Sequence, residues 1–425
     1  MAYVRAQIST LLDRLDEAPE RLILITGPRQ TGKTTLVRHA LERLERPFLY
    51  LPVDEPESPG LPSFPGWSES TFAIPSDPLS SISGSKDTRW LVRHWERARV
   101  GAERSDRGCV LVFDEIQKIP GWSEAVKGLW DADRYHDRRV HVVLLGSAPL
   151  LMQRGMTESL AGRYETIRLT QWSFAEMSAA FDFDLPAYVY FGGYPGAASR
   201  VREEGRWRAY VTEAIVEPNI ERDILAMQRV DKPALLKRLF ELGADYSGQI
   251  LSYNKMLGQL QDAGNTTTLA RYLDLLAKAG MIAGLSNYAG GAHRRRASTP
   301  KLNVLDTALM SALSGYTFAE ARADRSLWGR LVESAVGAHL FNTGAPEIRL
   351  HYWRHRGREV DFVLKRGPRL VAVEVKSGAR RAGHTGGLDE FHRRFDGART
   401  ILVGDGGVSL SEFLSVPTRE WVEGS

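Results

Sequence analysis

Over residues 1–170, short apolar runs at 22–25, 48–51, 110–113, 142–145 and 166–169 alternate with stretches of helical periodicity. Continuous apolar runs mark strands covered on both faces, so the pattern predicts a parallel sheet with helices on each side. One segment interrupts it. Residues 55–86 turn to Pro, Ser and Gly with Trp67 and Phe72 among them, which reads as a long surface insertion or lid.

After residue 169 the pattern becomes mainly helical. Ser173 followed by Glu176 is a capping-box signal for one helix. A Phe191-Gly-Gly-Tyr-Pro-Gly-Ala turn comes next, then a charged helix over 206–225. Residues 231–309 read as three helices and a β-ribbon, with a middle helix at 253–261, a third capped by Asn265, and strands near 281–285 and 302–305. That is the pattern of a winged helix, whose wing is the loop 288–299. From 317 onward a helix at 327–340 precedes strands at 349–353, 360–364, 370–376 and 400–403, forming a smaller α/β domain. The expected boundaries are therefore 1–170, 171–230 (helical lid or connector), 231–312 and 317–425.

Composition adds limits. A chain of 425 residues exceeds one ordinary core, and a net charge of +4 permits a polyanionic partner without demanding one. The single cysteine, Cys109, lies in an apolar run, so no intramolecular disulfide forms and a reducing compartment is expected. No stretch of about 20 apolar residues and no signal-like N-terminal segment occurs, which predicts a cytoplasmic protein without membrane partners.

The chemistry starts at the end of the first run. Gly27, Pro28, Arg29, Gln30, Thr31, Gly32, Lys33, Thr34 and Thr35 form a phosphate-binding loop between a buried strand and a helix. Glycines let backbone N–H groups turn around phosphates, and the helix N-terminus adds positive potential. Lys33 is placed for the β and γ phosphates and Thr34 for Mg²⁺, so ATP and Mg²⁺ are the expected cofactors. The run at 110–113 then delivers Asp114, a Mg²⁺ holder through water, and Glu115, which polarises the attacking water. The fourth run is followed by Ser147, a hydroxyl in a sensor position. Arg163, ahead of the fifth run, is a candidate finger acting in cis or, in a homo-oligomer, on a neighbouring subunit.

Two other groups stand out. The wing carries His293, Arg294, Arg295 and Arg296, a basic tip suited to DNA phosphates. In the C-terminal region Asp361, Glu374 and Lys376 fall on successive strands, and Glu333 lies on the preceding helix. Two carboxylates and a lysine so spaced can bind Mg²⁺ and activate water against a phosphodiester, with Glu333 completing the metal shell. Arg349, His351, Arg354, His355, Arg356 and Arg358 make the neighbourhood basic.

Taken together, Gly-Pro-Arg-Gln-Thr-Gly-Lys-Thr-Thr-Leu, Phe-Asp-Glu-Ile-Gln-Lys, Ser-Leu-Ala-Gly-Arg, Gly-Gly-Tyr-Pro, Pro300-Lys-Leu-Asn-Val-Leu-Asp306 and Glu-Val-Asp-Phe with Glu-Val-Lys resemble a large bacterial and archaeal family. Its members join an AAA-type P-loop ATPase to a C-terminal domain of unknown function with a restriction-endonuclease-like core. The resemblance implies that Lys33, Thr34, Asp114 and Glu115 are nucleotide-site residues and that Glu333, Asp361, Glu374 and Lys376 are the nuclease-fold set. The insertion and Ala148, where a second hydroxyl is often found, depart from the pattern. The expected function is an ATP-hydrolysing, DNA-binding motor or switch whose nucleotide state repositions the winged helix and endonuclease-like domain on DNA, branched DNA included. The alternatives are a nucleotide-controlled, protein-binding switch in defence or signalling with an inactive nuclease-like scaffold, and an ATP-regulated, metal-dependent nuclease.

Overall fold

The computed structural model describes residues 3–54, 86–146, 152, 159–224, 230–262, 264–290, 299–376 and 386–424. The chain divides into two units, Met1–Leu169 and Thr170–Ser425.

The first unit holds β1 (Leu22–Thr26), β2 (Phe48–Pro52), β3 (Cys109–Asp114), β4 (Val140–Gly146) and β5 (Tyr164–Arg168) in one sheet of order β2-β3-β4-β1-β5. Every pairing is parallel, as the uninterrupted apolar runs require. Successive residues serve opposite faces. Leu22, Leu24, Leu111 and Phe113 pack with Trp95 and Trp130, whereas Ile23, Ile25, Val110 and Val112 pack with Leu11, Leu36 and Val37. Each such buried side chain contributes about 1.5–3 kcal/mol, so a charge at any of them would open one face. The fifth strand begins two residues earlier than its apolar run, because Glu165 and Thr166 are exposed on this edge strand and only Ile167 is buried. Cys109 is fully buried, and burial pushes its thiol pKa up.

The second unit begins with the Phe174–Phe181 helix, closed at its N-terminus by the expected Ser173–Glu176 capping box. Two of the sequence motifs meet further on. The Gly193 N–H donates to Asp306 Oδ2 at 2.8 Å, and a Cβ on Gly192 (φ 72°) would lie 1.9 Å from Asp306 Oδ1. The Gly-Gly turn is thus the shape that lets a buried carboxylate pin two distant segments together.

Helices follow at Pro233–Asp245, Tyr253–Gln259 and Thr266–Lys278, the last capped by Asn265 Oδ1 accepting from the Thr268 N–H at 2.8 Å. The strands are β6 (Ile282–Asn287), β7 (Lys301–Val304), β8 (Arg349–His355), β9 (Arg358–Arg366), β10 (Arg369–Lys376) and β11 (Arg399–Gly404). They form one six-stranded sheet of order β11-β10-β9-β8-β6-β7. Strands from the expected 231–312 and 317–425 segments thus share one sheet. The ribbon β6–β7 joins this sheet because β6 pairs in parallel with β8 at Ser286↔His351 and Asn287↔Tyr352. The connector at 171–230 likewise belongs to this unit.

Two local features shape the sheet where the acidic residues gather. Between His351↔Val363 and Trp353↔Val360 the register shifts, so β9 inserts the extra residue in the step that contains Asp361 and Phe362. Such bulges re-aim side chains. On β7 the alternation buries Lys301 and Asn303 beside apolar Leu302 and Val304. Asn303 Nδ2 donates to the Ser334 carbonyl at 3.3 Å, and a Cβ on Gly337 would meet Asn303 Oδ1 at 2.2 Å, so β7 lies close against the Arg325–Asn342 helix.

Candidate functional site

The loop at 27–32 leaves the carboxyl end of β1, the position where open α/β sheets bind ligands, and leads into the Lys33–Leu41 helix. Gly32 takes φ 86°, a left-handed conformation that favours glycine, and opens that helix. Gly27 sits so close to the residue after β5 that a Cβ there would lie 1.8 Å from the Leu169 carbonyl oxygen. Thr31 Oγ1 donates to the Pro28 carbonyl at 3.0 Å, and Arg5 Nη1 to the Thr31 carbonyl at 3.1 Å, tying the loop to itself and to the N-terminal segment.

Lys33 is buried, and its Nζ donates to the Gly27 and Pro28 carbonyls at 2.9 and 2.7 Å. Thr34 Oγ1 donates to Asp114 Oδ2 at 2.7 Å. The first turn of the helix and the end of β3 therefore meet, although β4 lies between β1 and β3 in the sheet. A hydroxyl and a carboxylate in contact are the hard oxygen donors that Mg²⁺ prefers, so these residues fit that ion.

Two neighbours of this pair escaped the sequence reading. Tyr50 on β2 donates its hydroxyl to the same Asp114 Oδ2 at 2.5 Å, and burial, with Asp114's charge adding, pushes the phenol pKa up. Gln117 Nε2 donates to Glu115 Oε2 at 2.5 Å, while Glu115 itself takes φ 59° as the chain turns off β3. Tyr50 looks like one more apolar residue in its run, and only the β2–β3 pairing places it beside Asp114.

Arg163 lies elsewhere. Its carbonyl accepts the Leu22 N–H at 2.8 Å, so it stands at the head of β1 and β5, about 13 Å of strand from the loop at the opposite end. Its guanidinium grips Asp131 through two hydrogen bonds of 2.8 and 3.0 Å. A finger role in cis does not fit that position. Ser147 and Ala148 lie outside the described residues, as do most of the 55–86 insertion and the wing residues His293, Arg294, Arg295 and Arg296.

In the second unit Asp361 is the centre of a charge cluster, but its partner is one the sequence reading overlooked. Lys301, 1% exposed, places Nζ 2.6 Å from Glu333 Oε1, 3.2 Å from Asp361 Oδ1 and 3.8 Å from Glu359 Oε1. Asp361 Oδ2 accepts the Val375 N–H at 2.8 Å, and Glu374 Oε1 accepts from Lys376 Nζ at 2.6 Å. Burial alone would lower the Lys301 pKa, but Asp361 and Glu333 outweigh it and hold the ammonium charged. Burial pushes the Glu333 and Glu374 carboxyls up to about 7, with Asp361's charge adding in both.

The expected metal shell of Glu333, Asp361 and Glu374 therefore has a cation among its members. A lysine lies between two of its members, and no group of three or more His, Cys, Asp or Glu side chains among the described residues is arranged to hold a metal ion. In the sequence Lys301 stands inside the Pro300–Asp306 motif, as a cation ahead of Leu302-Asn-Val-Leu, with no role assigned to it.

One family model spans the loop. A model described as an AAA domain matches residues 19–178, and two domains of unknown function, DUF8612 and DUF4143, match residues 182–320 and 328–418. An uncharacterized protein of Mycobacterium bovis and one of Mycobacterium tuberculosis are each 27% identical over 383 residues, covering 87% of this chain and 76% of theirs. Among solved structures, the Walker-type ATPase PABY2304 of Pyrococcus abyssi matches with TM-score 0.49 and 16% identity, over 74% of this chain and 96% of that one. The Aeropyrum pernix ORC1 protein in complex with DNA matches with TM-score 0.30 and 15% identity, over 76% and 94%. Among the described residues no helix is long and apolar enough to cross a membrane. Residues 19–178, which include most of the first unit, thus match the model described as an AAA domain.

Proposed function

We propose that this protein binds ATP with Mg²⁺ at the loop of the first unit, hydrolyses it, and uses nucleotide state to control a DNA contact made by the second unit. The observation that carries the ATPase reading is the 2.7 Å hydrogen bond between Thr34 and Asp114, which joins the phosphate loop to the acidic strand end. Lys33 exchanges its loop carbonyls for phosphate oxygens, a stronger, charge-assisted interaction. Thr34 and Asp114 would hold Mg²⁺, which neutralises charge on the β and γ phosphates. Glu115 orients the attacking water and takes its proton, and the Gln117 amide must release or share that carboxylate for it to do so. The finger role left to Arg163 is on a neighbouring copy, after it leaves Asp131.

Retention of labelled ATP and release of phosphate test this reading. Lys33→Ala should abolish retention, whereas Glu115→Gln should retain ATP and lose turnover. Unchanged turnover in Glu115→Gln removes Glu115 from its role.

DNA is the proposed partner because the described part of the second unit presents a compact set of cations. His355 pairs with Arg358 across a two-residue turn, Arg356 (φ 46°) and Gly357 (φ 78°), which exposes Arg354, Arg356 and Arg358 at one hairpin tip. Log affinity should fall with log salt by roughly 0.9 per phosphate neutralised, and replacing these three arginines by Ala should flatten the slope. A salt-independent or undetectable interaction would favour a protein partner.

A further inference from the structure

We infer that Lys301 is a built-in cation of the second unit: its ammonium fills the position among Glu333, Asp361 and Glu359 that a divalent metal would need, so this carboxylate cluster takes no metal and cuts no phosphodiester. The inference is independent of the ATPase reading, since every residue in it belongs to Thr170–Ser425.

The geometry argues it in three steps. First, the oxygens of Glu333 and Asp361 that face Lys301 already lie against its charge, whereas Glu374 Oε2 has no hydrogen-bond partner among the described residues. Glu333 and Asp361 face Lys301 Nζ at 2.6 and 3.2 Å, and the Asp361 carbonyl lies 3.4 Å from it. The other Asp361 oxygen is held by the Val375 amide, and Glu374 is held by Lys376. A divalent cation draws oxygens to about 2.0–2.6 Å, a distance incompatible with an ammonium nitrogen at the centre of the same oxygens.

Second, Lys301 is fixed. The Gly248 N–H donates to the Leu302 carbonyl at 2.8 Å and the Leu302 N–H to the Gln249 carbonyl at 2.9 Å, so the strand carrying Lys301 is fastened along its outer side. Its ammonium also lies 5.1 Å from the centre of the Phe362 ring, the residue that the β9 bulge brings with Asp361. Lys376 differs, because its side chain is 31% exposed and can swing into solvent. Third, removing either charge from a buried, paired cluster leaves the other uncompensated, which ties the lysine and the acids together as one structural element.

Mn²⁺ titration of the full-length chain, without nucleotide and in an Asp114→Asn background, tests this by electron paramagnetic resonance of the free ion. With Lys301 intact, adding Asp361→Asn should leave Mn²⁺ uptake unchanged. Replacing Lys301 by Ala should create uptake of one equivalent and a Mn²⁺-dependent rise in melting temperature, both lost on adding Asp361→Asn. One equivalent bound by the chain with Lys301 intact and lost with Asp361→Asn would overturn the inference. So would a folded Lys301→Ala chain that takes up no Mn²⁺. If Lys301→Ala does not fold, the comparison with Lys301 intact still decides, and Asp361-dependent nicking of plasmid DNA by that chain counts against the inference.

Discussion

Lys33 and Lys301 are both buried lysines at the start of regular elements, and the difference in what they touch separates the proposed nucleotide site from the cluster proposed to be closed to metal. Lys33 donates to the Gly27 and Pro28 carbonyls, neutral acceptors that a phosphate oxygen outcompetes. Lys301 donates to Asp361 and forms an ion pair with Glu333, carboxylates that meet its charge from within the protein. The first lysine is poised to change partners. The second is part of the fold.

The largest expected effect separates the two directly. Lys301→Met should destabilise the second unit by about 3–5 kcal/mol, because it strands buried carboxylates. Lys33→Met replaces bonds to carbonyls and should cost about 1 kcal/mol. Denaturant unfolding of both variants checks this, and equal losses would erase the distinction. In activity the order reverses: Lys33→Ala should lower phosphate release by on the order of 10²–10³-fold, the scale of one charge-stabilising donor.

A pH experiment sharpens the picture of the second unit. Burial pushes the Asp306 carboxyl up to about 7, partly offset by the Ala308 and Gly193 amides that it accepts. The folded chain holds this proton after the unfolded chain has released it near pH 4. Stability attributable to Asp306 is therefore greatest below about pH 4, declines as pH rises toward 7 and is level above it. Melting temperatures across that range should show the decline in the native chain and a shallower one in Asp306→Asn. The smallest effect belongs to Tyr50→Phe. It removes one hydrogen bond to Asp114, on the order of 1 kcal/mol, and should raise the Mg²⁺ concentration needed for half-maximal turnover several-fold with little change at saturating Mg²⁺.

The parallel sheet of the first unit was legible because each apolar run is covered on both sides, which leaves a contiguous signal; β4, which includes His141, and β5, exposed on its edge, each begin two residues before the expected run. The phosphate loop was legible because its residues are adjacent in sequence. The second unit was harder to read for the opposite reason. The pairing that absorbs the β6–β7 ribbon rests on two registers between residues 65 positions apart, and local patterning carries no information about it. Lys301 joins Glu333 and Asp361 only through that arrangement, so a spacing rule found the acids and missed their cation. Asp306 was visible as a motif member, but its hold on Gly193 required the fold.

Phosphate release from ATP by the full-length chain, measured beside Glu115→Gln at matched nucleotide retention, tests the central claim most directly. The account predicts turnover in the native chain and retained ATP without turnover in the variant. A native chain that neither retains ATP nor releases phosphate, with or without DNA, would contradict it.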